Sequence, residues 1–401
     1  MKALATTLIF SLLFIIIAAV ARAQTAEELN QKSMTLMAEG KPAEAIEALK
    51  QAVKVDSNYA TSYVNLGFLY YSNGMLEQAT ALYTKAIELE PENALAHNNI
   101  GAAFLAGRNI KRAIYEYKLA LQYKPDYAEA HNNLSYALNS IGATDLAIDE
   151  ARKAIALRPE YARAYNNLGM AFHSKGEFDE AVRQFQKALE LSPDLVVALN
   201  NLGTTYRFQK KFDESIKLHQ KAIALDTLNV ESYNSMGLAY MNKGDLQAAL
   251  PWFQKALAIA PTYAITHNNI SFVYYDLFNY SMAMQHAKAA ERYGMKMSAD
   301  YMEDLQKALD PDYFRARHIL VKSESEAQVI LTDFGRGTRF SELARAKSLD
   351  RNTAAKGGDL GYFKKGDILP EFEKAIAVLR VGQVSKAVKT ERGFHIFQRL
   401  K

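Results

Sequence analysis

Apolar residues recur through most of the chain with the spacing of one helical face, and the face itself repeats. In each 34-residue segment, positions 4, 7, 8 and 11 form the packing stripe, as Tyr63, Leu66, Gly67 and Tyr70 do in one of them, which is the i, i+3, i+4, i+7 pattern of a packed helix. The register is set by Asn65-Leu66-Gly67, Asn99-Ile100-Gly101, Asn133-Leu134-Ser135, Asn167-Leu168-Gly169, Asn201-Leu202-Gly203, Ser235-Met236-Gly237 and Asn269-Ile270-Ser271. Twelve residues after each triplet's last position stand Ala79, Ala113, Ala147, Ala181, Ala249 and Ala283, and Pro91, Pro125, Pro159, Pro193 and Pro261 fall where a second helix must stop. Extended backwards, the register gives an opening unit at 26–59 with Gly40 and Ala45 in place, so the array has eight units, residues 26–297. Ser215 replaces the alanine and Thr227 the proline, while Pro251 falls inside a second helix and predicts a kink or a shifted helix start there. After Gly294, Tyr301, Met302, Leu305 and Leu309 make one more stripe, ending at Pro311. An open-ended array needs such a helix to cover its last apolar face.

From Phe314 the period vanishes and glycine becomes frequent. The pattern there predicts a strand at 316–321, helices at 324–333 and 340–347, a glycine-rich loop, a helix at 371–378, and strands near 385–389 and 394–400. Charge changes with it. Residues 313–401 carry 18 Lys and Arg against 10 Asp and Glu, whereas residues 24–312 carry 28 against 34. The fold class is therefore multidomain: an all-α superhelical solenoid at 24–297, a capping helix and linker at 298–312, and a small α+β domain at 313–401.

The first 23 residues have a different pattern. Lys2 precedes an apolar run from Leu8 to Val20, and Ala21-Arg22-Ala23 places small residues where a signal peptidase cuts. Cleavage would leave Gln24 first, with no cysteine there to carry a lipid; kept uncut, the 19 residues from Ala3 to Ala21 would be nearly long enough to span a bilayer. Either way the remainder is expected outside the cytoplasm, in a bacterial periplasm, with no membrane association after cleavage. The absence of cysteine from all 401 residues removes disulfides, thiolate metal sites and thiol nucleophiles. A net charge of +4 is too small to drive nonspecific nucleic-acid binding. No cofactor or metal is expected: His97, His131 and His267 occupy packing position 4 and read as core or edge histidines.

The 34-residue unit resembles the tetratricopeptide repeat (TPR), with Tyr63, Leu66, Gly67, Tyr70, Ala79, Tyr83, Ala86 and Pro91 at its signature positions. Position 6 is Asn65, Asn99, Asn133, Asn167, Asn201 and Asn269, interrupted by Ser235, while position 9 runs through Phe68, Ala102, Tyr136, Met170, Thr204, Leu238 and Phe272. Asparagine is a poor helix former, so its retention beside a freely varying neighbour points to a task. The amides could satisfy groups of the adjacent unit. The row also resembles the asparagine ladder in the repeat domain of O-linked N-acetylglucosamine transferase, which implies a groove gripping the backbone of an extended polypeptide. The adjacent Asn98, Asn132, Asn166, Asn200, Asn234 and Asn268 point elsewhere on the helix and fit packing between units.

In the C-terminal domain, Ala316-Arg317-His318-Ile319-Leu320-Val321, Phe340-Ser341-Glu342-Leu343-Ala344, Gly357-Gly358-Asp359-Leu360-Gly361-Tyr362-Phe363, Pro370-Glu371-Phe372 and Gly393-Phe394-His395-Ile396 follow in order. Together they resemble the parvulin family of peptidyl-prolyl cis-trans isomerases (rotamases). The resemblance implies rotation about Xaa-Pro bonds without a cofactor. It assigns His318, Asp350, Thr390 and His395 to the catalytic cluster, and Leu360, Ile368 and Phe372 to the proline pocket, with Ile368 departing from the usual methionine. Lys322 is followed by the acidic Ser323-Glu324-Ser325-Glu326, so selection of phosphorylated Ser/Thr-Pro is not expected. The resulting expectation is an exported chaperone-like folding helper for unfolded or extended proline-containing polypeptides. The alternative is a non-enzymatic adaptor, its groove docking a defined protein partner and its parvulin-like domain only binding.

Overall fold

The computed structural model describes residues 24–401. These divide into two compact units, the first ending at Thr205 and the second running from Tyr206 to Lys401, with the division inside a repeat helix. The first unit holds the helices α1 (Ala26–Ala38), α2 (Pro42–Val55), α3 (Ala60–Ser72), α4 (Leu76–Leu89), α5 (Ala94–Ala106), α6 (Ile110–Tyr123), α7 (Ala128–Ser140), α8 (Thr144–Leu157), α9 (Ala162–Lys175), α10 (Phe178–Leu191) and most of α11 (Val196–Phe208). The second continues with α12 (Phe212–Leu225), α13 (Val230–Lys243), α14 (Leu246–Ile259), α15 (Ala264–Asp276), α16 (Tyr280–Arg292) and the capping helix α17 (Ala299–Leu309).

One size rule explains how the two helices of a unit approach. Gly67, Gly101, Gly169 and Gly237 each face an aromatic ring sixteen residues on, and a Cβ at these positions would stand 2.8, 2.7, 2.7 and 2.5 Å from Tyr83, Tyr117, Phe185 and Phe253. Where the later position is Ala151 or Ala287, the earlier one is Ser135 or Ser271, and its buried hydroxyl donates 2.7 Å to the carbonyl of Ala147 or Ala283. Bulk is thus exchanged across the helix pair at constant packing.

Of the two outcomes expected at Pro251, the shifted helix start does not occur, and the stripe of the capping helix ends early. Helix α14 starts at Leu246, in the same register as its counterparts, and runs through Pro251 without a shifted start. In α17 the buried positions are Leu305 and Ala308, while Leu309 is exposed; a helix sheds its stripe at its last residue.

The C-terminal domain comprises β1 (Tyr313–Val321), α18 (Glu324–Gly335), α19 (Phe340–Lys347), α20 (Arg351–Ala354), β2 (Asp359–Lys364), α21 (Pro370–Ala377), β3 (Val388–Thr390) and β4 (Gly393–Arg399). Its antiparallel sheet has the order β2-β1-β4-β3. The glycine-rich segment expected to be a loop forms β2 from Asp359 onward, entered through Gly357 and Gly358 at φ 70° and 83°. Strand alternation sorts the domain into two cores. Ile319, Val321 and Ile396 pack with Ala327, Ile330, Phe340, Leu343 and Ala344 on one face, and Ala316 and Phe397 pack with Phe363 and Ile376 on the other. His318 and His395 alternate with the first set, so they share the face of Ala316 and Phe397.

Candidate functional site

Pairing register brings the two histidines together. Across β1 and β4, His318 lies opposite Phe397 and Leu320 opposite His395, which makes the imidazoles diagonal neighbours on one face. Their rings stack with centroids 5.6 Å apart, and the two Nδ1 atoms are 3.4 Å apart. Both residues are buried. Asp350 reaches them from the turn after α19: Leu320 N–H donates to Ser348 Oγ at 3.2 Å, and Leu349 N–H donates to Leu320 carbonyl at 2.8 Å, fixing that turn against β1.

Asp350 Oδ2 lies 2.7 Å from His318 Nε2, so that nitrogen carries the proton. His395 Nδ1 faces His318 Nδ1, and its Nε2 lies 3.0 Å from the Thr390 hydroxyl, which also donates 3.3 Å to the carbonyl of Gly393. Thr353, which the sequence reading did not single out, donates 2.6 Å to Asp350 Oδ2 and lies 2.9 Å from His318 Nε2. Its position three residues after Asp350, the N-cap of α20, was the available signal. Burial opposes the charge on Asp350, but the bonds from Thr353 and His318 outweigh it and hold the carboxyl below its ordinary range. Burial, then the neighbouring His318 and Arg392, bring His395 down to about 4. At neutral pH the cluster is therefore a carboxylate beside a neutral His395, an arrangement that orients dipoles rather than moving protons.

This cluster walls a cavity of about 930 Å³, whose apolar side is made by Leu320, Leu349, Leu369 and Phe372. The Phe372 ring lies 4.6 Å from that of His395 and 4.8 Å from that of Phe397. Leu360 and Ile368 are half-buried in the same apolar cluster as Phe372 and Phe397, but they are not among the residues lining this cavity. Ser323 caps α18 by accepting from Glu326 N–H, and Glu326 in turn accepts from Lys322 N–H at 2.9 Å. The acidic stretch after β1 thus serves the helix start.

The asparagine row is also placed. Asn65, Asn133, Asn167, Asn201 and Asn269 each donate from Nδ2 to the side-chain oxygen of the asparagine 35 residues earlier, Asn30, Asn98, Asn132, Asn166 and Asn234, at 2.8, 3.0, 2.9, 2.9 and 2.9 Å. Position 6 of one unit is thereby tied to position 5 of the unit before it. For Asn99 that earlier position is Val64, which has no such acceptor.

Residues 318–401 match the model of the PPIC-type PPIase domain. Tetratricopeptide-repeat models match 35–74, 69–107, 128–161, 162–195, 195–225 and 230–263. The chain is 37% identical over 132 residues to foldase protein PrsA 2 of Bacillus cereus, covering 28% of this chain and 46% of that one. Over 84 residues it is 46% identical to foldase protein PrsA of Geobacillus kaustophilus, covering 21% and 30%. It is 42% identical over 93 residues to a parvulin-like PPIase of Rickettsia felis, covering 22% and 33%. The chain spans less than half the length of these relatives. Among solved structures, the APC/C Cut9–Hcn1 hetero-tetramer aligns with a TM-score of 0.56 at 19% identity, covering 71% of this chain and 55% of that one. A tetratricopeptide repeat protein from Parabacteroides merdae aligns with 0.53 at 19% identity, covering 62% and 98%. These two establish the helical-repeat fold alone.

Proposed function

We propose that this chain, which joins tetratricopeptide repeats to a PPIC-type PPIase domain, is an exported peptidyl-prolyl isomerase that helps other polypeptides fold. The observation that carries the reading is the Asp350–His318–His395–Thr390 network on the wall of a cavity that Leu320, Leu349, Leu369 and Phe372 also line. Rotation about an Xaa-Pro bond must cross about 18–20 kcal/mol because amide resonance is lost in the twisted state. A cavity that holds the proline ring against Phe372 and presents fixed dipoles to the twisting amide favours that state over the planar one. No bond is made, and none of the four polar residues needs to act as a base.

The repeats, at residues 24–297, would hold an extended client while the domain at 313–401 works on its prolines, so that weak binding by each part suffices. That relatives of the C-terminal segment are named foldases supports this division of labour. Export to a periplasm rests on Leu8–Val20 and Ala21-Arg22-Ala23, which lie outside the described residues. Among the described residues, no helix is long and apolar enough to cross a membrane.

The test is the cis/trans exchange rate of an unphosphorylated Xaa-Pro peptide by NMR exchange spectroscopy, with wild type, Asp350→Ala and His318→Ala compared. Acceleration that falls in both variants supports the isomerase. A folded wild type that accelerates no tested peptide leaves the adaptor as the function.

A further inference from the structure

Arg315, at the start of β1, is held from three sides. From β2, Asp359 accepts from Arg315 Nη2 at 2.5 Å and from Nε at 3.2 Å, a bidentate pair. From the last repeat, the Tyr275 hydroxyl accepts from Nη1. From the capping helix, Asp304 lies 3.7 Å from Nη1 and 3.5 Å from the Tyr275 hydroxyl. The guanidinium also sits over the rings of Tyr362 and Tyr275, 4.8 and 5.7 Å from their centroids. One side chain therefore touches α15, α17 and the sheet.

Asp359 continues the path inward. The residue before it, Gly358, gives its carbonyl to the backbone N–H of His318 at 2.8 Å. A Cβ on Gly358 would overlap the His318 carbonyl, so the backbones are in direct contact there. The strand of the second histidine is anchored at the same end. The carbonyl of Leu400, just past β4, accepts from the buried Tyr280 hydroxyl of α16 at 2.6 Å. The Lys401 ammonium donates to the carbonyls of Lys307 and Asp310 at the end of α17, where a cation suits the helix dipole. Leu400 N–H donates 2.8 Å to the carbonyl of Arg315, joining the two anchors.

We propose that Arg315 is a positioning residue through which the last repeat and its capping helix set the geometry of the His318–His395 pair. The inference rests on the isomerase reading of that pair, but it concerns what holds the pair in place. Rigid anchoring at one end of both histidine strands transmits a change in the packing of α15 or α17 to the imidazoles.

The test uses the full chain with Tyr275→Phe, which removes the acceptor and keeps the ring, and Arg315→Lys, which keeps the charge and loses the fork. The first readout is NMR of the imidazole nitrogens and carbons, which reports tautomer and titration of His318 and His395. The second is Xaa-Pro exchange. Expected are shifted ring signals for both histidines and a drop in exchange rate of about 2- to 30-fold, the range spanned by coupling through packed side chains, with the variants folded. Ring signals identical to wild type in both variants overturn the proposal. Because these signals are read without substrate, they decide it even if the wild type accelerates no peptide, a result that would instead sink the isomerase reading.

Discussion

Acidification should leave His395 neutral well below the ordinary histidine range. His395 is 3% exposed, and burial together with His318 and Arg392 depresses its titration from 6.5 to about 4, with Asp350 alone pulling the other way. At pH 5.5 such a group is about 3% protonated, whereas a free histidine is about 90% protonated. Below pH 4 the added proton places a charge 3.4 Å from His318 Nδ1. His395 ring signals should therefore be nearly unchanged between pH 7.5 and 5.5 and titrate with a midpoint near 4, and the part of the exchange acceleration that depends on a neutral His395 should fall in step. The folded state titrates below the unfolded one, so this residue's contribution is complete above pH 6.5 and is lost as pH drops towards 4, by about 3 kcal/mol in total. Urea unfolding at a series of pH values measures that loss, and His395→Asn should remove most of the slope. A His395 ring titration near 6.5 in the folded protein would refute the reasoning.

Four further outcomes follow from the repeats. Gly101→Ala places a methyl 2.7 Å from Tyr117 and should destabilise by about 1–3 kcal/mol in thermal unfolding; adding Tyr117→Ala and making position 101 serine, the combination found at Ser135 and Ala151, should recover part of it. His97 Nε2 faces the Pro91 carbonyl at 3.0 Å and Nδ1 faces Glu116 at 2.7 Å, so the ring must be doubly protonated. Burial opposes that charge, but Glu116 and the Pro91 carbonyl outweigh it and raise the titration. The pair's stabilisation is then full below pH 6.5 and lost as pH rises through the folded value. Glu116→Gln should cost about 1–3 kcal/mol near pH 6 and less in alkaline buffer, as measured by urea unfolding. Asn167→Ala, which breaks a buried bond to Asn132, should lower stability by about 1 kcal/mol. Asn99→Ala should leave stability nearly unchanged and weaken binding of an unfolded polypeptide, read by titration calorimetry.

The helical repeats were legible because their cause is local and periodic: one stripe, one small position and one proline recur every 34 residues, and each has a fixed steric role. The α+β domain was legible in most of its strands and helices but not in β2 or the short α20. Gly357, Gly358 and Gly361 carry positive φ, and glycine reads as loop when no partner strand is in view. Asp359 pairs with Arg317 across the sheet, a long-range fact that no window of residues contains. For Thr353 the sequence offered only its place three residues after Asp350, and its hydroxyl matters once β1 brings His318 beside α20.

The asparagines show where a sequence pattern leaves two causes unresolved and geometry separates them. A row kept to grip a client needs nothing particular at position 5, whereas a row kept to join repeats needs an acceptor there. The bonds follow the second requirement: they form from Asn30 to Asn65, Asn98 to Asn133, Asn132 to Asn167, Asn166 to Asn201 and Asn234 to Asn269, and Val64 removes the acceptor that Asn99 would use. Each amide carries two donors; Asn167 Nδ2 donates to both the carbonyl and the side-chain oxygen of Asn132, whereas Asn99 has Val64 in that place. The two tasks respond differently to substitution: loss of the joint lowers the stability of the array, and loss of a contact to a client would lower affinity. Asn99, with Val64 rather than an asparagine at position 5 of the unit before it, is the position where substitution disturbs that joint least.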